Sequence, residues 1–215
     1  VARQTDEAAR AAAHRALTRQ LRLARQGRTL LHPFIGRSRS FEVWRHYPRE
    51  DAIAASGRWQ FYYHAHDRGD GGSARHEQEH GHIHLFARSP AGRLTHLVGL
   101  SLDARGVPLC WFTTNQWVTG EHWQDAARLQ ALLPRLDLRL AGPLAGAALW
   151  LTDLVHFYRP ALQQLLQQRD EALQRHCRRL RQSREQAWAD RRVAVWSSLN
   201  VRWPQDALAG EAAGA

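Results

Sequence analysis

Five of the thirteen histidines crowd into two short segments, Tyr62-Tyr63-His64-Ala65-His66 and His80-Gly81-His82-Ile83-His84-Leu85-Phe86. In a β-strand, side chains two residues apart point to the same side. His64 and His66 therefore share a face, as do His80, His82 and His84. If the two strands pair as a hairpin, opposed side chains stand about 5 Å apart at Cβ. That spacing lets imidazoles converge on one ion at metal–nitrogen distances of about 2.0–2.1 Å. The alternate positions Phe61, Tyr63, Ile83 and Leu85 belong in a core. A buried cluster of imidazoles without partners is costly, and its members repel one another when protonated. A metal ion removes both costs, because neutral imidazole is the ligand form. The pattern predicts a metal site drawn from His64, His66, His80, His82 and His84. Three or four ligands are usual, so not all five need bind.

An all-nitrogen set without a thiolate suits Zn(II), Fe(II) or Cu and argues against magnesium and calcium. With an open coordination position, such a site supports hydrolysis at zinc or oxygen chemistry at iron. The expected function is therefore a metalloenzyme, an oxygenase or a hydrolase, acting on a small molecule or peptide. The alternative is a metal carrier or sensor. Tyr62 and Gln60 fall on the histidine face by alternation, and Tyr62 is a candidate catalytic group. Glu121 is a second candidate. It ends the polar segment Thr113-Thr114-Asn115-Gln116-Trp117-Val118-Thr119-Gly120-Glu121, which is placed to form a pocket rim between a strand and a helix. Thr119 and Glu121 read equally well as helix caps. Glu79, next to His80, is expected to point to the opposite face.

The elements that would hold this hairpin are read from the flanking sequence. Residues 5–26 are Ala-rich with a partial apolar stripe at Leu17, Leu21 and Ala24, which predicts a helix stopped by Gly27. A connector runs from there to Glu50, with a short strand at Phe41–Trp44. Residues 41–115 read as a sheet: Trp59–His66, Glu79–Arg88, Leu94–Leu102 and Leu109–Thr114 are separated by a polar loop at 67–78 and by two Gly-bearing turns. Short turns favour antiparallel neighbours. Residues 122–196 read as helical, with helices at 122–133, from Pro143 to about Tyr158, and from Pro160 to about Trp196. The tail from Pro204 is expected to fray. The fold class is α+β: an antiparallel meander of four or more strands with N-terminal and C-terminal helices packed on it, in one domain over 1–215.

The chain has 215 residues, 44% of them apolar, enough to bury a core without disulfides. Cys110 and Cys177 fit no zinc-ribbon or CxxC spacing. The net charge of +10 comes from thirty arginines and no lysine. A basic surface attracts polyanions, and Arg175, Arg178, Arg179, Arg181 and Arg184 cluster. Apolar and acidic residues interrupt that cluster, and no nucleic-acid reading module appears, which argues against nucleic acid. An apolar stripe on the C-terminal helices would serve a homo-oligomer instead. No apolar run reaches the roughly 20 residues of a membrane span. Residues 1–28 show no secretory signal, so the expected location is cytoplasmic.

The two histidine segments, together with Phe112-Thr113-Thr114-Asn115-Gln116-Trp117-Val118-Thr119-Gly120-Glu121, resemble a bacterial family named only as a domain of unknown function, DUF6969. The likeness runs from about Trp44 to about Arg169. It implies a real site without naming its chemistry. His80-Gly81-His82-Ile83-His84-Leu85-Phe86 also looks like the histidine-triad signature. That likeness would imply a metal-free nucleotidyl hydrolase or transferase with His82 as nucleophile. Gly81 departs from the bulky apolar residue of that pattern, and the His64/His66 pair has no place in it.

Overall fold

The computed structural model describes residues 2–36, 41–66 and 77–212. Most of the expected 67–78 loop lies outside them. Two helices lead in: α1 (Ala2–Arg25), and α2 (His32–Ile35). Then come β1 (Tyr47–Ile53), β2 (Trp59–His64), β3 (Gly81–Arg88), β4 (Leu94–Leu102) and β5 (Pro108–Thr114). The helices α3 (Gln116–Thr119), α4 (Ala126–Gln130), α5 (Ala145–Phe157), α6 (Arg159–Leu180) and α7 (Arg184–Trp188) precede β6 (Val195–Asn200) and α8 (Gln205–Ala212). The six strands form one sheet in the order β1-β2-β3-β4-β5-β6, every neighbouring pair antiparallel. The class is α+β, as the sequence pattern predicts.

The two faces of the sheet have different chemistry. One face sends Phe61, Tyr63, Ile83, Leu85, Val98, Leu100 and Trp111 into a core shared with Ala13 and Ala16 of α1, with Ala148, Trp150, Leu151 and Leu154 of α5, and with Leu162, Leu165 and Leu166 of α6. The alanines of α1 are small enough to let it lie close against α5. Asp153 of α5 is held there by Arg15, whose guanidinium donates at 2.9 and 2.7 Å. The other face carries Gln60, Tyr62, His64, His82, His84 and Phe86, all buried but outside that core.

Several boundaries differ from the sequence reading. Phe41–Trp44 forms no strand, because Trp44 sits at φ 65°, in the left-handed region. The first strand starts at Tyr47 instead, where Pro48 is accommodated because β1 is an edge strand. The expected helix at 122–133 shrinks to α4 followed by a 3₁₀ turn, Leu133–Arg135. Thr119 and Gly120 end α3 rather than starting a helix; Asn115 caps it and Gly120 closes it at φ 61°. The long C-terminal helix stops at Leu180, where Arg181 turns to φ 51°. Ser183 and Gln186 then form a capping box that restarts the chain as α7. The next element is a strand, β6, paired with β5 from Cys110↔Asn200 to Thr114↔Val195. Asn115 clips this returning segment in place, its side-chain amide donating to the carbonyls of Ala187 and Val193 at 3.0 Å each. Residues 205–212 form α8 in place of the frayed tail that the composition predicts. No helix among the described residues is long and apolar enough to cross a membrane.

Candidate metal centre

The register of the β2–β3 hairpin builds the site. Tyr62 stands opposite His84, and His64 opposite His82. His84 in turn faces Gly99 on β4, and Gly99 faces Phe112 on β5. Glycine is required at 99, because a Cβ there would lie 2.1 Å from the tip of the Phe112 ring. Without that Cβ, the ring lies across β4 and packs edge-on against His82 and His84, at centroid distances of 5.4 and 5.7 Å. His66 sits just past the end of β2, with its ring 5.1 Å from that of His82.

Three imidazoles converge. One ring nitrogen from each of His64, His66 and His82 lies within 4.8 Å of the other two. His82 is fully buried and His64 nearly so. The Nε2 atoms of His64 and His82 are 2.6 Å apart. Nitrogens sharing one tetrahedral ion at ordinary bond lengths stand about 3.3 Å apart, so the pair has only to spread by a fraction of an ångström. Glu79 sets the chemistry of His82: its Oε1 is 2.6 Å from His82 Nδ1, and its Oε2 accepts from the Ser101 hydroxyl at 2.5 Å. A carboxylate at Nδ1 holds the proton there and leaves the Nε2 lone pair facing the cluster. His64 then donates its Nε2 proton to His82, and receiving a metal requires His64 to shift that proton to Nδ1.

A second pair of imidazoles adjoins the first. His84 Nδ1 is 2.9 Å from His96 Nε2, and His96 Nδ1 is 3.1 Å from the Thr114 hydroxyl. Glu121 accepts from the His96 backbone N–H. Burial lifts the Glu121 carboxyl to about 8, although that hydrogen bond and the charge of Arg169 pull the other way. Its Oε1 is buried without a hydrogen-bond partner among the described residues. On the far side, His46 stacks on Tyr62 at 3.6 Å between centroids and 11° between planes. Asp51 holds His46 at Nδ1, 2.8 Å away, and accepts from the Gln60 amide at 2.6 Å; Arg88 donates to Gln60 in turn. Trp44 and Asp51 are two of the three non-glycine residues with positive φ among the described residues. Such backbone costs about 1–3 kcal/mol per residue. Here it sets the Trp44 ring against His66 and carries Asp51 to His46.

The expected residues are thus distributed unevenly. His64, His66 and His82 meet, and His84 lies beside them, 4.8 Å from His82 by ring centroid. His80 does not join them. It precedes β3, so strand alternation does not reach it, and its ring turns to the core side, where Nδ1 shares a hydrogen bond with the buried Tyr63 hydroxyl at 2.5 Å. Gly81 permits this, since a Cβ there would lie 2.4 Å from that hydroxyl. Glu79, expected to point away, reaches His82 for the same reason. Tyr62 lies in the cluster, with its ring 5.4 Å from His64 and 5.3 Å from His84. Glu121 touches the backbone of His96 rather than the three converging rings. Trp117, expected on a pocket rim, donates to the Val193 carbonyl at 2.9 Å and so helps anchor β6. Sequence reasoning missed His96 and His46. A bulge in β4 between the Val98 and His96 pairings returns His96 to the histidine face, against simple alternation. For His46 the available signal was its place between two aromatics, Trp44 and Tyr47.

The family described as a domain of unknown function (DUF6969) matches residues 10–201, and the chain belongs to it. The match is wider than the 44–169 of the motif likeness. No curated protein matches the chain, and no solved structure matches it.

Proposed function

We propose that the chain binds one transition-metal ion through His64, His66 and His82, and that it is an enzyme acting on a small molecule or peptide. The observation that carries the reading is the convergence of three ring nitrogens within 4.8 Å, with Glu79 presenting the His82 lone pair to their centre. Three neutral nitrogen donors suit Zn(II), Fe(II) or Cu and leave coordination positions for substrate. Burial of His82 and His64 favours a resident ion over exchangeable cargo. Tyr62, stacked between His46 and the cluster, is the group placed to meet a substrate at that ion. Glu121 acts at one remove, by holding the strand segment that carries His96.

The test is elemental analysis of the untagged protein as purified and after exposure to each of the three metals, beside a His64→Ala/His82→Ala variant. Near-stoichiometric metal in the wild type, lost in the variant, is the expected result, and the element found separates hydrolytic from oxygen chemistry. A wild-type chain that takes up none of the three defeats the reading, and nucleotide binding at His82 then becomes the reading to pursue.

A further inference from the structure

We infer a second binding site, for a small phosphate monoester, in the cleft at the opposite end of the β2–β3 hairpin. A cavity of about 390 Å³ opens there, lined by Arg58, Arg88, Arg93, Arg128, His122 and Trp59 among others. From His82 to Arg88 the strand rises about 20 Å, so this cleft lies apart from the three converging imidazoles, although Arg88 links the two regions through Gln60 and Asp51.

Three chain segments bring the arginines together. Arg58 ends the β1–β2 connection, and its carbonyl accepts from the Arg88 backbone N–H at 2.8 Å. Arg93 closes the β3–β4 turn, where its N–H donates to the Ser89 hydroxyl at 3.1 Å. Arg128 comes from α4, which is approached through His122. The His122 N–H donates to the Leu94 carbonyl and its own carbonyl accepts from the Thr95 hydroxyl, both at 2.8 Å. These bonds set the chain positions of Arg58, Arg88 and His122 at this end of the sheet.

No carboxylate lines the cleft, and among the described residues none of the four arginines forms an ion pair with an acid. Asp125 is near in sequence but lies 3.5 Å from Arg184 instead. Other arginines do find acids: Arg15, Arg139, Arg169 and Arg192 each pair with an aspartate. Arg88 turns its guanidinium to Gln60, which leaves Arg58, Arg93 and Arg128 lining the cleft without a counter-charge; like charges repel, and a bound dianion relieves that repulsion. The guanidinium fork matches phosphate oxygens two at a time. A phosphate monoester carries close to two negative charges near neutral pH. The cleft volume lies at the small end of the range for small-molecule sites, and the Trp59 wall offers an apolar surface for the carbon part of the ester.

The test is NMR titration of the protein as purified, following the Trp59 indole N–H, with inorganic phosphate, glycerol phosphate, succinate and a short single-stranded DNA at constant ionic strength. Saturable one-to-one binding of phosphate and glycerol phosphate is expected. It should weaken at least tenfold in Arg93→Ala/Arg128→Ala and stay unchanged in Arg178→Ala/Arg179→Ala, which removes equal charge from α6. Arg93 and Arg128 are exposed, and circular dichroism checks that the fold is kept. An Arg93→Lys variant separates the geometry of the fork from charge alone. Non-saturating shifts, equal weakening in both double variants, tighter binding of succinate, or binding of DNA alone would each overturn the assignment.

Discussion

Replacing Glu79 with glutamine tests how the metal centre is organised. The carboxylate bridges His82 Nδ1 at 2.6 Å and the Ser101 hydroxyl at 2.5 Å. Glutamine can keep both bonds: its oxygen accepts from the imidazole, and its amide donates to the serine oxygen. Only the negative charge is lost. Loss of a group that orients a ligating histidine typically costs 10–100-fold in metal affinity. Because glutamine keeps the orientation, Glu79→Gln is expected at the low end, about tenfold or roughly 1.4 kcal/mol. Glu79→Ala also frees the His82 tautomer and is expected near 100-fold. Chelator-competition titrations with Zn(II) and Co(II) at fixed pH give both ratios. On a His82→Ala background the effect of Glu79→Gln should vanish, since the carboxylate acts only through that ring. If both Glu79 variants bind metal within twofold of wild type, Glu79 does not orient His82 and the ligand assignment is wrong.

The same geometry sets three further outcomes. Glu121 has its carboxyl raised from 4.5 to about 8 by burial, so the folded state holds that proton more tightly than the unfolded chain. This contribution is fully present below about pH 4.5 and is lost as pH rises through about 8, at a cost of order 5 kcal/mol across the window. Urea unfolding at several pH values should show the decline in wild type and its absence in Glu121→Gln; parallel profiles refute it. Gly99→Ala drives a Cβ into the Phe112 ring. It should lower stability by about 1–3 kcal/mol, whereas Gly99→Ala/Phe112→Leu should recover part of that, as read by thermal unfolding. Asn115→Ala removes the donor that clips residues 187–193. Hydrogen exchange in β6 should accelerate while β2 and β3 stay protected; unchanged exchange in β6 counts against the clip.

The sequence exposed this site wherever alternation holds without interruption, and hid it wherever the strand is broken. His64, His82 and His84 sit in uninterrupted stretches of β2 and β3, so counting by two places them together. His80 and Glu79 precede the strand, where the backbone no longer alternates, and the two exchange the faces that counting assigns them. His96 is displaced by a single bulge residue, which flips the parity of β4 between Gly99 and His96. His46 depends on two left-handed residues, and nothing in the local sequence announces that Trp44 and Asp51 adopt them. The same limit explains the edges of the fold. Helical periodicity runs cleanly through α6, but Arg181 ends it through a conformation that arginine seldom adopts. The strand beyond α7 was legible only in the β-branched and aromatic run Val193-Ala194-Val195-Trp196. The described histidine face therefore extends over three strands and the lead-in to β1, although the sequence displays only a hairpin. A hairpin alone would leave His84 beside solvent; with His96, Phe112 and Thr114 behind it, that imidazole is 1% exposed and held by a second ring. Burial of this kind limits access of solvent and chelator to a bound ion, which sets a resident ion apart from exchangeable cargo. The decisive contrast is thus metal exchange: a resident ion should leave over hours against excess chelator, whereas exchange within seconds would favour the carrier.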